Sequence, residues 1–336
     1  MAVAIWKDHF SNLGAVASSY FRIRVSGSTI YQGRAYRAAS SGNLYVRIND
    51  ICANYMSQKP ATVPITTPST FTFPVSFQVQ KSSDGNTWSS VETVSFNDDW
   101  SYDDSFDPST MGMSFPITGR VDIRQMIYQT RYASGSVNAV CSYEGPSRTI
   151  AATMGATGQH AYVISLNHAG ATYAAFDCDY YKTYSGKKLT TVTIGLVTYK
   201  VVDNCNRFVL YYKNPFGGYD SLLLEGRCWK NGAVSQDTFK ADYDNTKKTR
   251  ETWDFQNEIT ESYTMNTGIL TEDESARMPY LLNSPDVFLC DLNASSPKLL
   301  TPCVIGTTSY QVKTKGGREM INYTFDVKVA QNKYAR

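Results

Sequence analysis

Histidine is scarce in this 336-residue chain, with three copies, His9, His160 and His168. General acid–base chemistry near neutral pH leans on histidine more than on any other side chain, so few positions could supply such a group, and no GxSxG or Cys-His signature accompanies them. Charge is thin as well: charged residues make up 18% of the chain, against ~25% in an average soluble domain. The 32 basic and 30 acidic residues leave a formal net charge of +2. That balance offers no excess to neutralise a phosphate backbone, so no specific nucleic-acid partner is expected. The seven cysteines, Cys52, Cys141, Cys178, Cys205, Cys228, Cys290 and Cys303, contain no CxxC pair. Scattered and odd in number, they read as buried thiols of a chain made in a reducing cytoplasm, not as a disulfide frame or a zinc ribbon. No stretch approaches the ~20 apolar residues of a membrane helix, so no membrane span is expected. The first ten residues lack the basic start and apolar run of a secretion signal.

What is abundant is tyrosine, 24 copies in a chain that is 13% aromatic. Aromatic and β-branched side chains suit a pleated surface, and strand signals dominate the chain. Tyr20–Val25 partly alternates, Ser26-Gly27-Ser28 can turn it, and Thr29-Ile30-Tyr31 starts the return. Leu44–Ile48 reads as a third strand, running into a short helix over Asn49–Met56. Phe71, Phe73, Val75, Phe77 and Val79 alternate as in a half-buried strand, followed by a hairpin turn at Ser82–Trp88 with Asp-Gly at its tip. Val121–Ile127 echoes Val46–Ile51, which predicts a second strand running into a short helix. Leu189–Tyr199 alternates approximately. Arg207–Tyr212 and Ser221–Leu224 flank an Asn-Pro…Gly-Gly turn. Near the end, Thr271 and Glu274 have capping-box spacing over an acidic first turn, with Ala276, Tyr280 and Leu281 as an inner face and Pro279 as a kink. Strands follow at Asp286–Cys290, Cys303–Ile305, Ser309–Lys313 and Ile321–Val329.

No βαβ series appears, so the expected fold is mainly β: two or three antiparallel β-sandwich-like domains with a few short helices. The Pro60, Pro64 and Pro68 run marks a linker. The expected division is an N-terminal β-module with a short helix at 1–58, a sandwich-like domain at 59–135, and a C-terminal β-rich domain at 136–336 with one helix near 271–283.

Candidate chemistry is sparse. His160 and His168 lie near Asp177, Cys178 and Asp179, but the spacing matches no standard ligand pattern, so no metal, cofactor or catalytic residue is assigned and the chain is not expected to be an enzyme. Asp98, Asp99, Asp103, Asp104 and Asp107 interleave with Trp100, Tyr102 and Phe106. This cluster lacks the spacing and closing Glu of an EF-hand loop and reads as an acidic loop that could present aromatics. The Ser82–Trp88 turn partly resembles the Asp-box of sialidase-type propellers, but Asp84 and Gly85 are adjacent, and the motif occurs once. In the Phe216-Gly217-Gly218-Tyr219 turn two aromatics could meet a partner. Interface candidates are therefore Phe216, Tyr219, Trp100, Tyr102 and Phe106.

Three stretches carry a family resemblance. They are Trp6-Lys7-Asp8 with Ile30–Tyr36 and Val46–Cys52; Tyr211–Asp220; and Leu281–Phe288 with Ser309–Thr314 and Asn322–Phe325. Together they resemble virion structural proteins of phages and prophages of gut Bacteroidetes, including the crAss-like group. The resemblance implies a tail, collar or baseplate component in the virion, made in the host bacterial cytoplasm. It also implies a homo-oligomeric ring that docks other tail, portal-proximal or baseplate proteins. A glycan-binding adhesin contacting a host receptor through aromatic loops is the alternative, and a β-rich hydrolase of surface polysaccharide a third reading.

Overall fold

The computed structural model describes residues 3–4, 8–37, 42–56, 62–63, 75–97, 116–132, 136–154, 160–165, 171–203, 208–215, 218–240, 246, 252–295, 298–306, 320–330 and 333–335. The chain is mainly β, with two helices among the described residues, neither long and apolar enough to cross a membrane.

The first unit contains β1 (Val3–Ala4), β2 (Phe10–Gly14), β3 (Ser18–Val25), β4 (Ser28–Tyr36), β5 (Leu44–Arg47), α1 (Asn49–Met56), β7 (Val75–Ser82) and β8 (Ser89–Asn97), while β6 (Thr62–Val63), which lies between α1 and β7 in the chain, pairs with Lys298 and Leu299 of the C-terminal sheet. The alternation in Ser18–Val25 does what a period of two dictates: Phe21, Ile23 and Val25 turn inward. The chain reverses through Ser26 and Gly27, both at positive φ, into β4. A five-stranded sheet forms in the order β1-β8-β7-β3-β4. One face packs on Leu13 of β2, Leu44 of β5, and Ile48, Cys52 and Met56 at and along α1. The hairpin between β7 and β8 forms as the Asp-Gly signal predicts, with Gly85 at positive φ.

The second unit holds β9 (Arg120–Asp122), β10 (Met126–Tyr132), β11 (Val137–Tyr143), β12 (Ser147–Met154), β13 (Ala161–Ser165), β14 (Ala171–Asp177), β15 (Thr183–Tyr184), β16 (Lys187–Ile194) and β17 (Val197–Val202). Its strand order is β10-β14-β13-β12-β11-β16-β17-β9. The two ends of that order are consecutive in the chain, so the sheet curls round until β9 and β10 share one tight turn. A single core cluster takes side chains from all eight of these strands, including Val121, Ile127, Phe176 and Tyr199. The result is barrel-like.

The third unit comprises β18 (Phe208–Lys213), β19 (Tyr219–Leu223), β20 (Trp229–Lys240), β21 (Thr252–Asn266), α2 (Glu272–Leu282), β22 (Val287–Asp291), β23 (Lys298–Ile305), β24 (Thr324–Val329) and β25 (Lys333–Ala335). They form a sheet in the order β19-β18-β22-β23-β24-β21-β20. One face meets α2, with Leu210, Tyr212, Met278 and Leu281 in a common cluster. The other face packs against the outside of the barrel: Val209, Tyr211, Phe288 and Cys290 meet Met126, Tyr128 and Tyr162. Barrel, sheet and helix therefore stack as layers around two apolar seams.

Several expectations change. Val121–Ile127 does not run into a helix. The Asp122 carboxylate accepts the Arg124 backbone N–H at 2.9 Å, and the Gln125 N–H donates to the Asp122 carbonyl at 2.9 Å, which closes a turn between two strands. Leu189–Tyr199 is two strands, split by a turn with Gly195 at positive φ. The α2 capping box forms, but Ser275 and Met278 are buried where Ala276 was expected; Ala276 is exposed. The sheets also cross the expected divisions. β3 pairs with β7 across 58/59, and β9 and β10 of the barrel precede 135/136 while their partners β17 and β14 follow it. Pairing mixes senses as well: β1 with β8, β12 with β13, and β17 with β9 are parallel. Phe71, Phe73 and Ser309–Lys313 lie outside the described residues.

Candidate interaction surfaces

The hairpin of β20 and β21 extends beyond the strands that support it. Its two strands pair from Trp229↔Thr264 to Lys240↔Thr252, with a bulge between Asp237 and Thr238. At ~3.4 Å per residue, the 12 residues of β20 span about 40 Å. β24 supports β21 only over Ser262–Asn266, and β25 only over Asn257–Ile259. β20 ends the sheet order, so its outer edge has no strand partner among the described residues. Its described side chains are exposed on both faces, among them Trp229 and Val234, the latter 59% exposed. A sheet edge normally carries charges, proline or a bulge to block strand addition. The bulge and Asp237 protect the outer part of β20, whereas Asn231–Gln236 carries neither charge nor proline.

At the root of this arm lies an open cavity of about 830 Å³. Phe208, Leu224, Leu289 and Leu299 line it from the sheet, and Lys230 and Tyr263 from the arm. The Phe208 and Tyr263 rings meet edge to face with centroids 5.5 Å apart. Lys230 Nζ lies 3.1 Å from Glu261 Oε1; that hydrogen bond, followed by the neighbouring Tyr263, raises the lysine pKa above its ordinary value. Mixed apolar and charged lining suits a protein segment better than a compact apolar ligand.

Of the expected interface residues, Trp100, Tyr102, Phe106 and Phe216 lie outside the described residues. Tyr219 packs inward instead of presenting itself. It is half-buried against the seam between barrel and sheet, its ring 6.0 Å from that of Phe288. The turn before it is closed by the Asn214 N–H on the Gly218 carbonyl, 2.8 Å, and the Gly218 N–H on Asn214 Oδ1, 3.2 Å.

The histidine neighbourhood is brought together only in part. His160 Nδ1 lies 2.9 Å from Asp177 Oδ2, and its ring stacks on Tyr180 at 3.6 Å with 2° between planes. Asp177 Oδ1 accepts the N–H groups of Asp179 and Tyr180, and Asp179 pairs with Lys182. Cys178 points into the barrel core, where burial, then the nearby Asp177, raises its pKa well above that of a free thiol. His168 lies outside the described residues. His9 is elsewhere, 3.1 Å from Glu92. Among the described residues no three His, Cys, Asp or Glu side chains are gathered to hold a metal ion.

No family model, curated protein or solved structure matches the chain.

Proposed function

We propose that this chain is a structural subunit of a phage tail, collar or baseplate, which assembles into a homo-oligomeric ring and docks neighbouring virion proteins. The β20–β21 arm carries this reading. A two-stranded hairpin is marginal by itself in water, and the outer strand of this one, β20, has its described side chains exposed on both faces and no strand partner along its outer edge among the described residues. A second chain laid on the edge would satisfy a row of free N–H and C=O groups and cover Val234 and Trp229. An arm that reaches a different surface of the next copy makes a head-to-tail contact, and such contacts close into rings when the rotation allows. The resemblance of the terminal and central stretches to virion proteins supplies the setting.

The test is the mass of the full chain at micromolar concentration, alone and with candidate neighbours. A defined oligomer is expected, and Val234→Lys, a charge at the centre of the open edge, should reduce it to monomer. Because Val234 is exposed, its own fold should keep its stability within about 0.5 kcal/mol. A wild type that stays monomeric under every condition overturns the reading. A Val234→Lys chain that still assembles removes the arm from it.

A further inference from the structure

The N-terminal sheet has a second face that its core does not use. Side chains alternate along a strand, so the residues between Phe21, Ile23 and Val25 point away from α1. On β3 these are Tyr20, Arg22 and Arg24. The register places Arg34 beside Tyr20 and Gln32 beside Arg22 on one side. On the other side it places Gln80 beside Arg22 and Gln78 beside Arg24. Beyond them, β8 contributes Ser90 opposite Gln80 and Thr93 opposite Gln78. The face therefore gathers three arginines, and none of its strand positions is Asp or Glu.

Two of the guanidinium groups, those of Arg22 and Arg34, are held by aromatic rings. Arg22 lies 4.3 Å over the Trp88 ring and donates from Nε to Gln80 Oε1 at 2.6 Å. Arg34 lies 5.0 Å from the Tyr20 ring and 5.2 Å from that of Tyr36, and donates from Nη2 to Ser18 Oγ at 3.2 Å. Arg24 donates to the Gly27 carbonyl. The adjoining hairpin carboxylate, Asp84, is turned into its own backbone, accepting the N–H groups of Asn86 and Thr87. Desolvation first, and then the charge of Arg24, lower the Arg22 pKa.

Planar guanidinium forks fixed by stacking match carboxylates two bonds at a time. Tyr36, 68% exposed, leaves ring surface free for a flat apolar patch. The neutral hydrogen-bonding groups of the face outnumber its cations. That balance fits a ligand rich in hydroxyls and sparse in charge better than a phosphodiester chain, whose binding grows with the number of cations offered. We propose that the outward face of the N-terminal sheet binds an acidic polysaccharide, with Arg22, Arg24 and Arg34 on its carboxylates and Tyr36 against a sugar ring. This surface lies in a different sheet from the β20–β21 arm, so it stands whether or not the arm drives assembly.

The experiment measures binding of the full chain to polygalacturonate oligomers, to their methyl-esterified counterpart, and to a single-stranded oligothymidylate, at low and high salt. Binding to the acidic oligomer is expected, and esterification should weaken it about tenfold or more, the loss of one good charged contact. Arg34→Gln, at an exposed position, should weaken it to a similar degree, and Arg34→Lys should not restore it fully because lysine lacks the fork. Unchanged far-ultraviolet circular dichroism and assembly mass separate this loss from misfolding. The proposal is overturned if wild type ignores the acidic oligomer, if the ester binds equally, or if Arg34→Gln binds as wild type does. Tighter binding of the oligothymidylate also overturns it and assigns the face to nucleic acid.

Discussion

Tyr211 is where the stacking of the barrel on the C-terminal sheet can be weighed. It sits in β18, 1% exposed, and its ring meets that of Tyr128 in β10 edge to face, centroids 5.3 Å apart at 71°. Its hydroxyl donates to the Met126 carbonyl at 3.1 Å, across the seam between the two units. Tyr211→Phe removes only that bond, which costs about 0.5–1.5 kcal/mol. Tyr211→Ala also empties the ring's place in a cluster shared with Phe288 and Cys290, and truncations of this kind cost about 3–5 kcal/mol. For a unit of this size, each kcal/mol lowers the melting temperature by about 2–4 °C. Tyr211→Phe should therefore melt about 1–6 °C lower than wild type, and Tyr211→Ala about 6–20 °C lower. Differential scanning calorimetry, with urea unfolding followed by tyrosine fluorescence, reads both shifts. The barrel and the sheet should move together in one transition. A loss below about 1 kcal/mol for Tyr211→Ala, or a barrel transition that stays in place while the sheet melts early, would show that the seam merely touches.

Two further outcomes follow from local chemistry. Thr271 Oγ1 accepts the Glu274 N–H at 3.2 Å, and Glu274 Oε2 accepts the Thr271 N–H at 2.8 Å; Thr271→Ala should cost about 1 kcal/mol in urea unfolding, and Thr271→Ser should recover most of it. The Asp84 carboxyl is held well below the usual carboxylate range, first by the Thr87 N–H, then by the Ser82 hydroxyl and the Asn86 N–H. A pKa depressed in the folded state contributes stability above the unfolded value, near pH 4, that is lost as pH falls through the lower folded value. Wild type should thus lose more melting temperature than Asp84→Asn between pH 4 and pH 2, and parallel curves would refute this.

Local signals were legible wherever a few adjacent residues decide the outcome. Ser26-Gly27 makes a turn because glycine tolerates positive φ. The Asp-Gly hairpin, α1, and the capping box of α2 follow from similarly short-range chemistry. Misreadings arose where distant groups decide. Val121–Ile127 has the composition of a strand leading into a helix, but Asp122 is wholly buried and paired with the partly exposed Arg124, and Gln125 is drawn to Ser221 at 2.7 Å. Those contacts, 96 residues apart for the second pair, belong to the seam and favour a turn. Pairings between strands on either side of the expected divisions are equally long-range. A proline-rich run separates β5 from β7 in sequence, yet the chain returns to pair Tyr20 with Ser82, and nothing between them announces it.

Surfaces were harder still to read, because what defines them is the lack of a neighbour. The sequence Trp229–Lys240 has no clean period of two, and a mixed pattern of that kind is usually taken for a loop. Only its pairing with β21 shows a strand uncovered on both sides. The arginine face is hidden by arithmetic. A net charge of +2 over 336 residues describes an average, and Arg22 and Arg34 look unrelated in the chain. The antiparallel register of β3 and β4 makes them diagonal neighbours, and the inward alternation of Phe21 and Ile23 fixes the side of the sheet on which both must stand. Charge balance thus argues against a polyanion spread over the whole molecule, while strand register concentrates positive charge on one sheet face. The two statements are compatible because screening confines each exposed charge to a range of about 10 Å, so a ligand meets the local face and not the sum.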